Sequence, residues 1–205
     1  MPHIVLIRPG ATLFDEQQRI QGTLDLPLSP QGEQQVAALL AELSAVEIDM
    51  VYASPCEPAR TTALRIAAAH HVPLKEVPDL YNVNLGLWQG LLVEELRRKH
   101  PKVFKQWQET PEAICPPEGE TIAEAIERIR KALERPLRKK GNLAFVAAEP
   151  AASIINAVVR GLPLDNVSRT ATRGCGSWDI LKENPYKSHS GEFVLPPQLA
   201  VVRPG

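Results

Sequence analysis

Two hydrophobic rhythms alternate along the chain. Short continuous apolar runs at His3–Arg8 (HIVLIR), Asp49–Ala53 (DMVYA), Leu74–Val77 and Asn142–Ala148 have the length and β-branched content of buried strands. Between them, Val36, Leu39, Leu40 and Leu43 recur at helical spacing, as do Ile122, Ile126, Ile129 and Leu133. Helix starts are marked by chemistry. Ser29-Pro30 supplies an N-cap and a first-turn proline, with Glu33 close to the capping-box position. Ser54-Pro55 predicts a second start, for a helix running through about His70. Short helices are expected over about Leu92–Lys99 and Pro101–Gln108, then a long one over Thr121–Arg138 that Pro136 bends or ends. Ala151–Arg160 reads as a helix closed by Gly161. Residues 9–30 and 79–90 read as loops, Thr110–Gly119 as irregular, and a last strand falls within Cys175–Leu181.

This βαβα order predicts an α/β fold: a three-layer αβα sandwich with a mostly parallel central sheet. In such sheets ligands bind outside the carboxyl ends of the strands. Those ends are Arg8-Pro9-Gly10, Ser54-Pro55 and Ala148-Glu149-Pro150, so a site belongs there. Residues 1–182 are expected to form one domain, and 183–205 a Pro-rich tail packed on it or trailing from it.

Composition narrows the function classes. The 205 residues carry 23 Lys+Arg against 24 Asp+Glu, and 44% are hydrophobic, which is ordinary globular chemistry. Near-neutral charge offers no footprint for nucleic acid or an anionic membrane. No apolar run approaches the ~18 residues of a membrane span, and Ile4–Ile7 is too short for a secretory leader before Arg8 interrupts it. Cys56, Cys115 and Cys175 are far apart and lack metal-ligand spacing, so a reducing, cytoplasmic setting without disulfides is expected, and no metal or cofactor.

Six segments together carry a resemblance. Leu6-Ile7-Arg8-Pro9-Gly10-Ala11-Thr12 is similar to a family opening L-I-R-H-G-E-T. Arg19-Ile20-Gln21-Gly22, Asp25 and Pro27-Leu28-Ser29 through Gly32 resemble that family's substrate loop and the helix start after it. Ser54–Ala63 is similar to S-P-L-x-R-A-x-x-T-A, and Leu80–Gly90 to L-x-E-x-x-x-G-x-W-E-G. Glu118-Gly119-Glu120-Thr121 resembles the G-E-S before a long helix, and Phe145–Pro163 a V-V-S-H-G-G strand-turn-helix. The chain thus resembles the histidine phosphatase superfamily, with its phosphoglycerate-mutase-like fold, over about residues 3–181.

In that family a histidine after the first strand attacks a phosphoryl group. Two arginines and a second histidine hold the phosphate oxygens, and a Glu or Asp protonates the leaving oxygen. Covalent catalysis by imidazole, with cations stabilising transition-state charge, is the physical logic. Carried over residue by residue, the nucleophile position is Pro9, the second phosphate-binding Arg is Pro58, the acid is Asn82 and the second His is Glu149, followed by Pro150. Arg8 is retained, as are Gly10, Thr12, Gly22, Gly86, Trp88, Gly90 and Gly161. A proline nitrogen is an amide and cannot attack phosphorus. Asparagine cannot donate a proton as a carboxylic acid does. The resemblance therefore implies a former phosphate pocket at Arg8, Pro9, Gly10, Arg19, Gly22, Pro58, Asn82, Glu149 and Pro150, with no catalytic residues.

An anionic Glu149 repels a phosphate dianion, and its expected partner is Arg8 across adjacent strand ends. Glu149 also reads as an acid beside a helix N-terminus, with Pro150 at the first helical position. Arg60 is offset onto another helix face from the missing arginine. Cys56 sits near a helix start that lowers a thiol pKa, although an inert thiol is the simpler reading. His3, His70, His71, His100 and His189 show no nucleophile placement. Trp88 and Trp107 read as core before cleft. The favoured expectation is a catalytically inactive binding or regulatory protein, for a protein partner or a small-molecule ligand, with a homodimer common in proteins of this resemblance. The alternatives are an active phosphomonoesterase or mutase using non-standard residues, and a structural subunit of an oligomer.

Overall fold

Ile4–Ile7 form strand β1, and all four side chains are buried. The computed structural model describes residues 3–110, 114–162 and 174–181. β1 pairs in parallel with β4 (Leu143–Val146) and antiparallel with β5 (Trp178–Leu181). β2 (Met50–Ala53) runs parallel to β4 on one side and to β3 (Leu74–Glu76) on the other, giving the order β3-β2-β4-β1-β5. The sheet is mostly parallel, with β5 the exception.

Strand alternation divides the core in two. Ile4, Leu6, Tyr52, Phe145 and Leu181 face one layer, where α6 (Ile122–Leu137) and α7 (Ala151–Arg160) pack. Tyr52 stacks on Phe145 there, with centroids 5.4 Å apart. Val5, Ile7, Val51, Ala53, Ala144 and Val146 face the other, against α2 (Pro30–Leu43) and α3 (Ala59–His70). On α2 Val36, Leu39 and Leu43 are buried, whereas Leu40 is half-buried; on α6 the same is true of Ile122, Ile129 and Leu133 against Ile126.

The caps explain most boundaries. Ser29 Oγ accepts from Gly32 N at 3.0 Å, but Glu33 closes no box and instead pairs with Arg65 of α3. Thr121 and Glu124 form a reciprocal box at the start of α6, and Pro136 sits in its last turn. Gly161 closes α7 with φ of 63°.

Four expectations need correction. The helix expected from Ser54 starts at Ala59, because a residue before proline is disfavoured in the α conformation and Pro58 follows Glu57. Pro150 is the N-cap of α7 rather than its first residue. The expected loop 9–30 contains a single-turn helix, α1 (Leu13–Glu16). Thr12 N donates to Asp15 Oδ2 at 2.7 Å and Asp15 N to Thr12 Oγ1 at 3.3 Å. So short a helix has no apolar stripe, yet the Thr12-x-x-Asp15 spacing announces it. The 79–90 loop likewise holds 3₁₀ turns at Pro78–Leu80 and Gly86–Trp88. Two short helices, α4 (Val93–Lys99) and α5 (Pro101–Glu109), follow it. The Pro-rich tail and His189 lie outside the described residues.

Among the described residues no helix is long and apolar enough to cross a membrane. The turn after β1 is fastened to α2 by close backbone approach: Ser29 N donates to Ala11 O at 2.9 Å. A Cβ on Gly32 would fall on the Ala11 carbonyl, and one on Gly10 would meet Val36 Cγ2 at 2.9 Å. Gly32→Ala should therefore destabilise the fold by about 1–3 kcal/mol through overpacking. The midpoint of urea unfolding checks this, and a midpoint equal to that of the parent protein contradicts it.

Candidate functional site

The site begins with the alternation in β1. Leu6 points into the α6/α7 layer, so Arg8, two residues on, points the same way. Asp179 of β5 lies opposite Leu6, which makes it the diagonal neighbour of Arg8 on that face. The parallel neighbour β4 ends at Val146, opposite Ile7, and three residues later delivers Glu149 to the start of α7. One guanidinium consequently lies between two carboxylates. Arg8 Nε donates to Glu149 Oε1 at 2.6 Å, and one terminal nitrogen of Arg8 to Asp179 Oδ2 at 3.0 Å. The Arg8 side chain is 3% exposed, whereas Glu149 and Asp179 keep 29% and 24% exposure, so the carboxylates are the wetter part of the cluster.

Glu149 does more than pair. Its second oxygen accepts from Ser153 N at 3.1 Å and from Ser153 Oγ at 2.6 Å, in the first turn of α7. The ion-pair reading and the helix-terminus reading of Glu149 are therefore both realised, one on each carboxylate oxygen.

Asn82 serves the backbone. Its Nδ2 donates to Glu149 O at 2.7 Å, and its Oδ1 accepts from Ala151 N at 3.2 Å. It thus ties the segment before α7 to one of the helix's unsatisfied N–H groups. Arg128 of α6 fixes the Asn82 segment in turn. Its guanidinium lies 3.5 Å from the Tyr81 ring centroid, bonds the carbonyls of Asp79 and Tyr81 at 2.7 and 3.0 Å, and pairs with Glu120 at 2.6 Å.

Arg8, Glu149 and Ser153 floor a cavity of about 460 Å³ at the carboxyl edge of the sheet. Arg8, Pro9, Gly10 and Arg19 line it, and so do Gly22, Pro58, Glu149 and Pro150. Asn82 is brought near but stays behind the wall, buried under Glu149. The near wall is built by hydrogen bonds between 18–20 and 90–93: Ile20 N to Leu91 O at 2.9 Å and Val93 N to Gln18 O at 3.0 Å. Arg19 spends itself on that wall, bonding Gly90 O at 2.7 Å and Gln17 Oε1 at 2.9 Å. Trp107 lines the cavity, while Trp88 is core, in edge-to-face contact with it at 5.7 Å.

Several residues here escaped sequence reasoning. Asp179 required the antiparallel register of β5, which no local pattern announces. Asp15 carried a legible capping signal, and Ser153 lies one helical turn from Glu149. Cys175 also lines the cavity; burial first, then the negative charge of Asp15, pushes its thiol up to about 12. Cys56 does not line it, and burial followed by Asp25 raises its pKa, overturning the reading of a lowered thiol. Arg60 pairs with Glu76 on the surface, far from any phosphate-binding role. Among the described residues no three His, Cys, Asp or Glu side chains converge as metal ligands.

Residues 4–190 match the model of the histidine phosphatase superfamily, branch 1. The chain belongs to this superfamily. It is 32% identical over 146 residues to phosphoserine phosphatase 1 of Hydrogenobacter thermophilus, covering 71% of this chain and 69% of that protein. It is 30% identical over 177 residues to 2-carboxy-D-arabinitol-1-phosphatase of Triticum aestivum, covering 85% of this chain but only 36% of the wheat protein. Among solved structures, mycobacterial glucosyl-3-phosphoglycerate phosphatase complexed with VO3 superposes with a TM-score of 0.81 at 23% identity, covering 88% and 90% of the two chains. Bacillus stearothermophilus YhfR gives 0.75 at 25% identity, again covering 88% and 90%. The phosphoglycerate-mutase-like architecture expected from the sequence is the one found. In this superfamily member Pro9, just after β1, lines the cavity without a titratable atom.

Arg8→Met should cost about 2–4 kcal/mol in urea unfolding, because it leaves two partly buried carboxylates facing each other without their cation. An unfolding midpoint equal to the parent's would show that the cluster does not hold the strand ends. Thiol labelling with iodoacetamide at pH 8 should be confined to Cys115, which is exposed, among the three cysteines. Cys175 stays protonated at that pH, and peptide mass analysis showing it labelled as fast as Cys115 would contradict this.

Proposed function

We propose that this chain is a ligand-binding member of the histidine phosphatase superfamily that does not transfer phosphoryl groups. One observation carries the reading: the single arginine retained at the phosphate position is already neutralised by Glu149 and Asp179. A phosphate dianion would have to displace one carboxylate and then lie beside both. The groups that attack and protonate are absent in the same place. Pro9 offers no nucleophile, and Asn82 has both side-chain ends engaged with backbone around the start of α7. The retained scaffold, with a cavity of about 460 Å³, is of the size that takes small molecules.

A second reading, phosphomonoester hydrolysis through other residues, is favoured by the relatives, which carry phosphatase names. Turnover decides between the two. The protein should hydrolyse p-nitrophenyl phosphate no faster than a buffer blank, with no vanadate-sensitive component. Pro9→His alone should stay inactive, since the cationic cradle and the acid remain missing. Vanadate-inhibited turnover by the unaltered chain would establish the hydrolase instead.

A further inference from the structure

We propose that the cavity is a site for a small organic cation: a protonated amine carried on an apolar, aromatic-sized body. The inference rests on the reading of this cleft as a binding site and names what it binds. Three features of the cavity point the same way.

The first is charge. Glu149 and Asp15 line the cavity together with two guanidiniums, Arg8 and Arg19, and Asp179, outside the lining, places a second carboxylate on Arg8. The guanidiniums are also the less available groups. Arg8 is almost wholly buried between its two carboxylates, and Arg19 is bonded to Gly90 O and Gln17. The carboxylates keep the exposure, so what a ligand head group meets is mainly acceptor oxygen. The Cys175 thiol senses this field: after burial, the charge of Asp15 and then that of Glu149 hold its proton on.

The second is the wall. Ile20, Leu85, Val93, Phe104, Trp107 and Ile122 line the cavity away from the charged floor. Phe104 and Trp107 stand edge to face with centroids 6.0 Å apart, a rigid surface for an aromatic body. A fully polar metabolite would leave this wall unused.

The third is the acceptor geometry. Glu149 Oε2 accepts from both Ser153 N and Ser153 Oγ, whereas Oε1 accepts only from Arg8 Nε and keeps an acceptor site open to a ligand. An ammonium donates only, so it fits such a floor. A phosphate or carboxylate accepts only, and fits it badly.

The test is calorimetric titration of the full chain at pH 7 with three probes of like shape: 2-phenylethylamine, 3-phenylpropionate and phenyl phosphate. The amine should bind saturably, at least about tenfold more tightly than either anion. Its affinity should fall several-fold in Asp15→Asn and in Glu149→Gln, and Trp107→Ala should weaken it as well. Asp15→Asn keeps a capping oxygen for α1 on an exposed residue, so it remains informative if Glu149→Gln fails to fold. An anion binding as tightly as the amine overturns the proposal, as does an amine that gives no saturable heat or is unaffected by Asp15→Asn. Phosphatase turnover is measured separately: hydrolysis of phenyl phosphate would defeat the non-catalytic reading, whereas a silent amine titration without turnover would defeat only this one.

Discussion

The position of one guanidinium governs the functional end of this molecule. Arg8 leaves β1 pointing into the α6/α7 layer, and burial there is tolerable only because two carboxylates meet it. Those carboxylates arrive from the strands on either side, one parallel and one antiparallel. The pairing thus couples three strand ends and, through Ser153, the start of a helix. It is better understood as a constraint on geometry than as a source of net stability, since the desolvation of the charges offsets much of their attraction. What it does to function is plainer. It leaves the guanidinium at the end of β1 already neutralised.

Around that pairing, neighbouring side chains are engaged in holding the backbone. Asn82 holds a carbonyl and an amide at the start of α7, and Arg128 holds the segment bearing Asn82. Pro58 and Pro150 both stand as N-caps of the helices they precede. Each of these contacts is locally consistent with the fold.

The sequence made the scaffold legible because its signals are local. The β1 run, the Ser29 and Thr121 caps and Gly161 each act within a few residues, and each lies where expected. The pairing of Glu149 with Arg8 was also legible, because motifs in a fixed order bring the two strand ends together. What could not be read were the contacts that depend on non-local register. Asp179 reaches Arg8 only through the antiparallel placement of β5, and Cys175 enters the cavity only because that strand follows it. The start of α3 was misplaced for a different reason: Ser54-Pro55 is a sound start signal that a second proline three residues later overrides.

The sheet order carries a consequence for biosynthesis. β1 is made first but lies between β4 and β5, whose contributions to Arg8 come 141 and 171 residues later in the chain. A nascent polypeptide therefore carries the Arg8 cation on β1 with neither counter-charge until first Glu149 and then Asp179 have been made. Partial products that stop short of β5 cannot complete this cluster, so its closure waits on the strand that is made after the other four.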